Sequence, residues 1–241
     1  MHLLSPQDFD QNADTTPNWV KRSYQQFTAK VSRPDFPCYF GTQALSKNEV
    51  LFAYADHHRS EDMVSALATF VERTRQANGL LTLAILIAPP EQQLNHDEYR
   101  QMFWDSLHFL HEQDEEPWPS DKPLSPQEPE WNFCFHGEQM FVFGCAPSYQ
   151  LKKSRNLGDG LVLMFQSITI FDGLKPGEKG GVNARKTIRK RLEAFDAIGP
   201  HPDLGPITSS ELIPWKMYFF PDDNTPQKEG ECPFHASKVS R

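Results

Sequence analysis

The 241-residue sequence lacks the long apolar run that a membrane-spanning helix needs. Its longest run, residues 80–88, is well short of the roughly 18 residues required. The first residues contain neither the basic nor the apolar region of a secretory signal. Basic residues are also scarce, since 24 Lys and Arg against 32 Asp and Glu give a net charge of −8. This balance argues against a nucleic-acid or membrane partner, and we expect a cytoplasmic protein.

Paired cysteines and strong catalytic motifs are also missing. The four cysteines lie far apart and form no Cys-x-x-Cys pair, a spacing typical of a reduced protein without a zinc knuckle. There is no phosphate-binding loop, no Gly-x-Gly-x-x-Gly, no His-Glu-x-x-His and no Gly-x-Ser-x-Gly. These absences disfavour nucleotide binding, zinc proteolysis and serine hydrolysis. Without Cys-x-x-Cys-His, any haem would be held without thioether links.

The pattern of apolar residues predicts a mixed order of helices and strands. Helices are expected over 17–30, 60–77, 95–113 and 183–198, and strands over 50–55, 80–88, 131–136, 139–145, 161–166 and 215–220. Residues 1–17 are polar without a period, and we expect them to be flexible. The order predicts an α+β fold, with a single domain over 18–241 and a mixed β-sheet flanked by helices. Eighteen Phe and five Trp indicate a deep aromatic interior.

Cys38 is the first candidate for a functional side chain. It follows Pro37 and precedes two aromatic residues and Gly41, in a segment predicted to be a tight apolar turn. A thiolate there is a suitable ligand for a soft metal or a haem iron. The alternative is a small thiol that packs as an apolar side chain, and spacing alone favours that alternative.

Histidines and a basic cluster supply further candidates. His108 and His111 lie three residues apart on the predicted helix over 95–113, so they can share one face as metal ligands or as core side chains. Lys152, Lys153 and Arg155 form a basic patch that can pair with carboxylates, phosphates or haem propionates. The residues alone do not identify a reaction.

An ordered set of short segments resembles the YqcI/YcgG family. The matching segments are Phe36-Pro37-Cys38 with Gly41, 104–114 with Pro117-Trp118-Pro119, 131–135 with Gly137-Glu138, Ser154-Arg155, Phe165-Gln166, 188–192, Trp215-Lys216 with Asp222-Asp223-Asn224, and Cys232-Pro233-Phe234. Each segment is weak by itself, but together they cover most of the chain. A related branch of the family is similar to haem-dependent enzymes that use O2 to hydroxylate the nitrogen of amines or guanidines.

The resemblance implies haem b bound without covalent links and O2 as co-substrate. Cys38 is the implied axial ligand, because its Phe-Pro-Cys context matches the family, and His111 is the second candidate. Arg155, with Lys153, would pair with the haem propionates. Relatives often carry a histidine after the second hairpin strand, whereas this chain has 145–149 without one, so Tyr149 is a further candidate there.

The implied reaction is N-hydroxylation of a small amine or guanidine. An acidic residue, Glu138, Asp222 or Asp223, would hold the cationic nitrogen by a charge-assisted hydrogen bond. An electron donor is needed, and a homodimer is compatible with the sequence. Two alternatives stay open: a cofactor-free protein of the same fold that binds a small ligand, and a non-haem metal site made of His108, His111 and nearby carboxylates.

Overall fold

A computed structural model describes residues 3–11, 15–77, 80–174, 176–206 and 212–235. Its helices are α1 (Pro6–Gln11), α2 (Asn18–Val31), α3 (Tyr39–Ser46), α4 (Glu61–Gln76), α5 (His96–Glu112) and α6 (Lys179–Phe195). Its strands are β1 (Val50–Ala55), β2 (Thr82–Ile87), β3 (Phe133–Phe135), β4 (Glu138–Cys145) and β5 (Val162–Ser167). The predicted α+β class and the mixed sheet flanked by helices are confirmed.

The five strands form one sheet in the order β1-β2-β5-β4-β3. β1 pairs with β2 in parallel, and the other neighbours are antiparallel. α4 connects the two parallel strands, which require a crossover of this kind. β3 and β4 form the predicted hairpin, and both His136 and Gly137 at its turn have positive φ angles. Such angles are those of the two-residue turns that match the twist of a hairpin.

The sheet is buried on both faces. Every residue of β2 is buried, as the continuous apolar run predicts. Alternate residues of a strand point to opposite faces, so Leu83 and Ile85 join one core with α4 and α5, whereas Ala84 and Leu86 join a second core with α2. We call these the α5 face and the α2 face.

Two predicted helices begin at strong capping residues. The Ser60 hydroxyl accepts the N–H of Asp62, and Asn95 forms a capping box with Glu98. Within the described part of the chain, no helix combines the length and apolar character needed to cross a bilayer. The caps explain why α4 and α5 begin within one or two residues of their predicted starts.

α6 covers the α2 face incompletely. It begins at Lys179 and not at 183, because Gly181 fits against Leu174, whose carbonyl oxygen would lie 2.3 Å from an added Cβ. Ile188, Leu192 and Phe195, the apolar side chains spaced three and four residues apart on this helix, are each half-buried. Of these three side chains, Phe195 packs against the α2-face core, whereas Ile188 and Leu192 belong to neither core.

The predicted strand over 215–220 is wrong. Pro214–Met217 form a 3₁₀ turn, and the aromatic residues that follow lie in the α5-face core. Pro214 has no N–H for a ladder, and Tyr218, Phe219 and Phe220 are all buried instead of alternating. A run of aromatic residues is typical of a strand, but here the run is explained by burial of each of these side chains in the core.

The N-terminal segment also differs from the flexible stretch expected over 1–17. Leu4 exchanges two main-chain hydrogen bonds of 2.8 Å with Phe52 of β1. Leu3 and Phe9 are buried, and Phe9 stacks on Tyr24 at 3.7 Å between ring centroids. These apolar contacts hold residues 3–11 against β1.

Gly144 of β4 fixes how closely the C-terminal segment approaches the sheet. An added Cβ would lie 2.6 Å from Phe219 and 2.7 Å from Phe103, whereas Gly199 has nothing within 4 Å. We expect Gly144→Ala to lower the free energy of unfolding by about 2 kcal/mol through overpacking. Denaturant unfolding measures the loss, with Gly199→Ala as the control, and equal stability of the two variants would contradict this packing.

Candidate functional site

Cys38 occupies the N-cap position of α3 and is exposed. The first N–H groups of a helix have no helical partners, and they favour negative charge. Desolvation raises the pKa of the Cys38 thiol, and the N–H groups of Gly41 and Phe40 lower it by smaller amounts without full hydrogen-bond geometry. Cys38 is thus an exposed residue at a helix terminus, and the larger effect on its thiol is desolvation, which disfavours the thiolate form.

The segment before Cys38 is held by α6. The Arg191 guanidinium donates to the carbonyl oxygens of Phe36 at 2.9 Å and Pro34 at 3.1 Å. Phe36 is buried and packs edge-to-face on Phe195, with 5.8 Å between ring centroids. Contacts with two turns of α6 therefore fix the position of the cysteine.

Arg155 follows β4 and contacts aromatic side chains of both cores. Its guanidinium stacks on Phe143 at 4.6 Å and on Phe220 at 5.0 Å. It also donates to the carbonyl oxygen of Gly144 at 3.4 Å. Its charge lowers the pKa of Cys38 and Cys145, although burial raises both by more. Arg155 thus supplies positive charge close to both thiols.

Tyr149 lies in the loop after β4, and its hydroxyl already has a hydrogen-bond partner. Its hydroxyl donates to the carbonyl oxygen of Phe220 at 2.9 Å, and burial raises its pKa. His96, which sequence reasoning overlooked, stacks edge-to-face on Tyr149 and contacts Phe220 and Ser148 through its two ring nitrogens. Neither side chain can reach an iron without losing these partners.

Lys153 borders an open depression on the α2 face. The depression has a volume of about 300 Å³ and is lined by Lys30, Arg33, Asp35, Lys153, Ala194 and Phe195. Lys30 and Arg33 also line a neighbouring depression of about 390 Å³ that reaches Asp159. Neither Lys30, in the last turn of α2, nor Arg33, two residues beyond its end, was predicted from the sequence, because no local pattern marks them as site residues.

His111 lies on the opposite face of the sheet from Cys38. α5 packs in the α5-face core, and the His111 ring contacts Trp118 at 5.7 Å and Phe234 at 5.6 Å. Phe36, beside Cys38, belongs to the α2-face core. The sheet separates the two donors, so they cannot serve the same metal.

The non-haem metal site is not formed by the described residues. They contain no group of three or more His, Cys, Asp or Glu side chains that could hold a metal ion. His108 stacks on Phe234 at 5.0 Å, and its Nε2 accepts the N–H of His235. Packing of its ring against Phe234 therefore gives His108 a structural role at the end of α5.

Two of the three candidate acids, Glu138 and Asp222, lie in different places. Glu138 begins β4 and accepts a 2.5 Å hydrogen bond from the Ser167 hydroxyl. It is seven residues from Cys145, or roughly 23 Å along the strand. Asp222 lies closer to Arg155 and accepts the N–H groups of residues 150, 151 and 152. Catalytic roles for both acids stay predictions.

The fold and the site together define an α+β protein with a doubly covered mixed sheet and an accessible cysteine at a helix terminus on its α2 face. The YqcI/YcgG family model matches residues 27–235. That range includes the cysteine and every strand. The chain belongs to the YqcI/YcgG family.

Three relatives extend over most of the chain. It is 31% identical to uncharacterized protein YqcI of Bacillus subtilis (strain 168) over 98% of its own length and 95% of that protein. Uncharacterized protein YcgG of the same organism is 31% identical, covering 90% and 88%. "Putative N(omega)-hydroxy-L-arginine synthase DcsA" of Streptomyces lavendulae is 28% identical, covering 93% and 87%. No solved structure matches the chain.

Asp222 is expected to stabilise the loop that carries Lys153 and Arg155. Asp222→Ala removes the acceptor of three main-chain N–H groups, so we expect the free energy of unfolding to fall by about 2 kcal/mol. Asp56→Ala, an exposed acid at the end of β1, is the control. Chemical denaturation compares them, and an unchanged midpoint for Asp222→Ala would exclude this structural role.

Proposed function

We propose that this protein is a haem-dependent monooxygenase that hydroxylates the nitrogen of a small amine or guanidine, and that the Cys38 thiolate would hold the haem iron. The observation that carries the proposal is the accessible thiol at the N-terminus of α3. The reaction class is supported by the name of DcsA, whose sequence aligns with 93% of this chain.

The donor chemistry around Cys38 fits a thiolate-bound haem. Helix termini and nearby cations favour the thiolate, and the Gly41 and Phe40 N–H groups and the Arg155 guanidinium act in that direction. Desolvation outweighs them and raises the pKa of the free thiol, so the bond to iron would have to stabilise the thiolate. Phe143, Phe195 and the half-buried side chains of α6 offer apolar surface on the same face. Thiolate donation to haem iron favours cleavage of the O–O bond, which is the chemistry that the group supplies.

The protein's own side chains would bind the haem propionates and orient the substrate nitrogen. Arg155 and Lys153 are suited to pair with propionates, because both are cationic side chains of one loop on this face. A carboxylate would hold the cationic substrate nitrogen, and of the candidates Asp222 is better placed than Glu138, which begins β4 at the end remote from Cys145. Overall, the amine, O2, two electrons and two protons give the hydroxylamine and water, so a separate electron donor is required.

Hemin binding tests this proposal. The purified chain should take up one equivalent of hemin and show a Soret band. Cys38→Ala should shift that band or weaken hemin affinity at least tenfold, because the iron loses its thiolate. Absorbance titration measures both effects. The matched control is Cys134→Ala, which removes a buried thiol on β3.

The same titration also distinguishes the haem-dependent function from the cofactor-free alternative. If hemin produces no Soret band and leaves thermal stability unchanged, the haem proposal is wrong. The cofactor-free alternative would then predict that another small molecule raises the melting temperature by linkage. A band that is identical in wild type and Cys38→Ala would retain haem but contradict Cys38 as its ligand.

A further inference from the structure

The depression between the C-terminal end of α2 and the end of α6 holds an excess of positive charge. Its lining includes the cations Lys30, Arg33 and Lys153 against one carboxylate, Asp35. The whole chain carries a net charge of −8, so this concentration of cations is contrary to its overall charge. The apolar wall comes from Phe195.

Asp35 is already neutralised inside the depression. Its two oxygens accept from Arg33 at 2.8 and 2.7 Å in a bidentate pair. In the neighbouring depression, Asp159 accepts from Arg22 and Gln26, each at 2.8 Å. Asp196, which acts on Lys30 from nearby, is bonded to the N–H and hydroxyl of Ser154. The carboxylates of this region therefore have partners of their own.

The two lysines lack such partners. Among the described residues, no carboxylate lies within ion-pair distance of the Lys30 or Lys153 ammonium. Lys30 lines both depressions and donates to the carbonyl oxygen of Asn156, which lines the neighbouring one, so its side chain lies where the two depressions meet. Burial lowers the pKa of Lys30 and Arg33 contributes to that lowering, whereas Asp196 opposes it, so a bound anion would favour the charged ammonium.

We propose that Lys30 and Lys153 form a binding site for the oxyanion end of a small metabolite, either a carboxylate or a phosphate. Two ammonium groups that share one concave surface are stabilised by an anion between them, and charge-assisted hydrogen bonds to oxygen are the strong ones. The volume of about 300 Å³ is at the lower end of the range for small-molecule pockets. Asp35 lies three residues before Cys38, so the bound anion would lie close to the candidate haem ligand.

Thermal unfolding of the haem-free full chain at constant ionic strength tests the site. Inorganic phosphate should raise the melting temperature with saturation, as expected for a ligand of the folded state. Lys153→Gln should weaken the phosphate Kd about tenfold, and it is expected to fold because Lys153 is exposed. Lys186→Gln, an equal loss of charge at an exposed α6 position outside the depression, should leave the Kd unchanged.

L-Arginine and agmatine distinguish the two sources of the anion, because they differ by the carboxylate. Binding of arginine but not agmatine, lost in Lys153→Gln, would assign the site to a carboxylate. Binding of phosphate alone would assign it to a phosphate. Absence of saturable binding of every probe, or equal weakening by Lys153→Gln and Lys186→Gln, would overturn the site. These measurements use no haem, so they are independent of the hemin titration.

Discussion

Burial of the sheet on both faces is the constraint on which the rest of the structure depends. β2 exposes no residue to solvent, so the chain must place apolar helices on each side of it. Because the helices lie on opposite sides of the sheet, the two candidate iron ligands also lie on opposite sides. Cys38 lies with the α2 face and His111 with the α5 face, and a shared site for both is excluded by the intervening sheet.

The α2 face is the less completely covered of the two. Gly181 and Ala184 are the buried residues of α6, while Ile188, Leu192 and Phe195 are half-buried. Cys38 and the basic depression lie along this face, and Arg155 contacts side chains of both faces. Ligand sites are commonly concave and partly apolar with few polar groups, and this combination occurs here and not in the densely aromatic α5-face core.

The fold class and most elements could be predicted from the sequence. Caps at Ser60 and Asn95 and the apolar run of β2 are local signals, and local signals suffice for such elements. The segment after Pro214 could not be predicted, because its aromatic residues are buried by α5 from a distance in sequence. The site was predicted only in part. Cys38 and Lys153 were identified from the residues beside them in the sequence. Lys30 and Arg33 could not be identified in this way, because they line the depression together with a loop more than a hundred residues away.

The central claim is that the Cys38 sulfur binds the iron of a haem on the α2 face. Iron K-edge X-ray absorption of the haem-reconstituted protein measures the ligand atoms directly. The account predicts one sulfur scatterer in the wild type and only nitrogen or oxygen scatterers in Cys38→Ser. Nitrogen and oxygen scatterers alone in the wild type would contradict it.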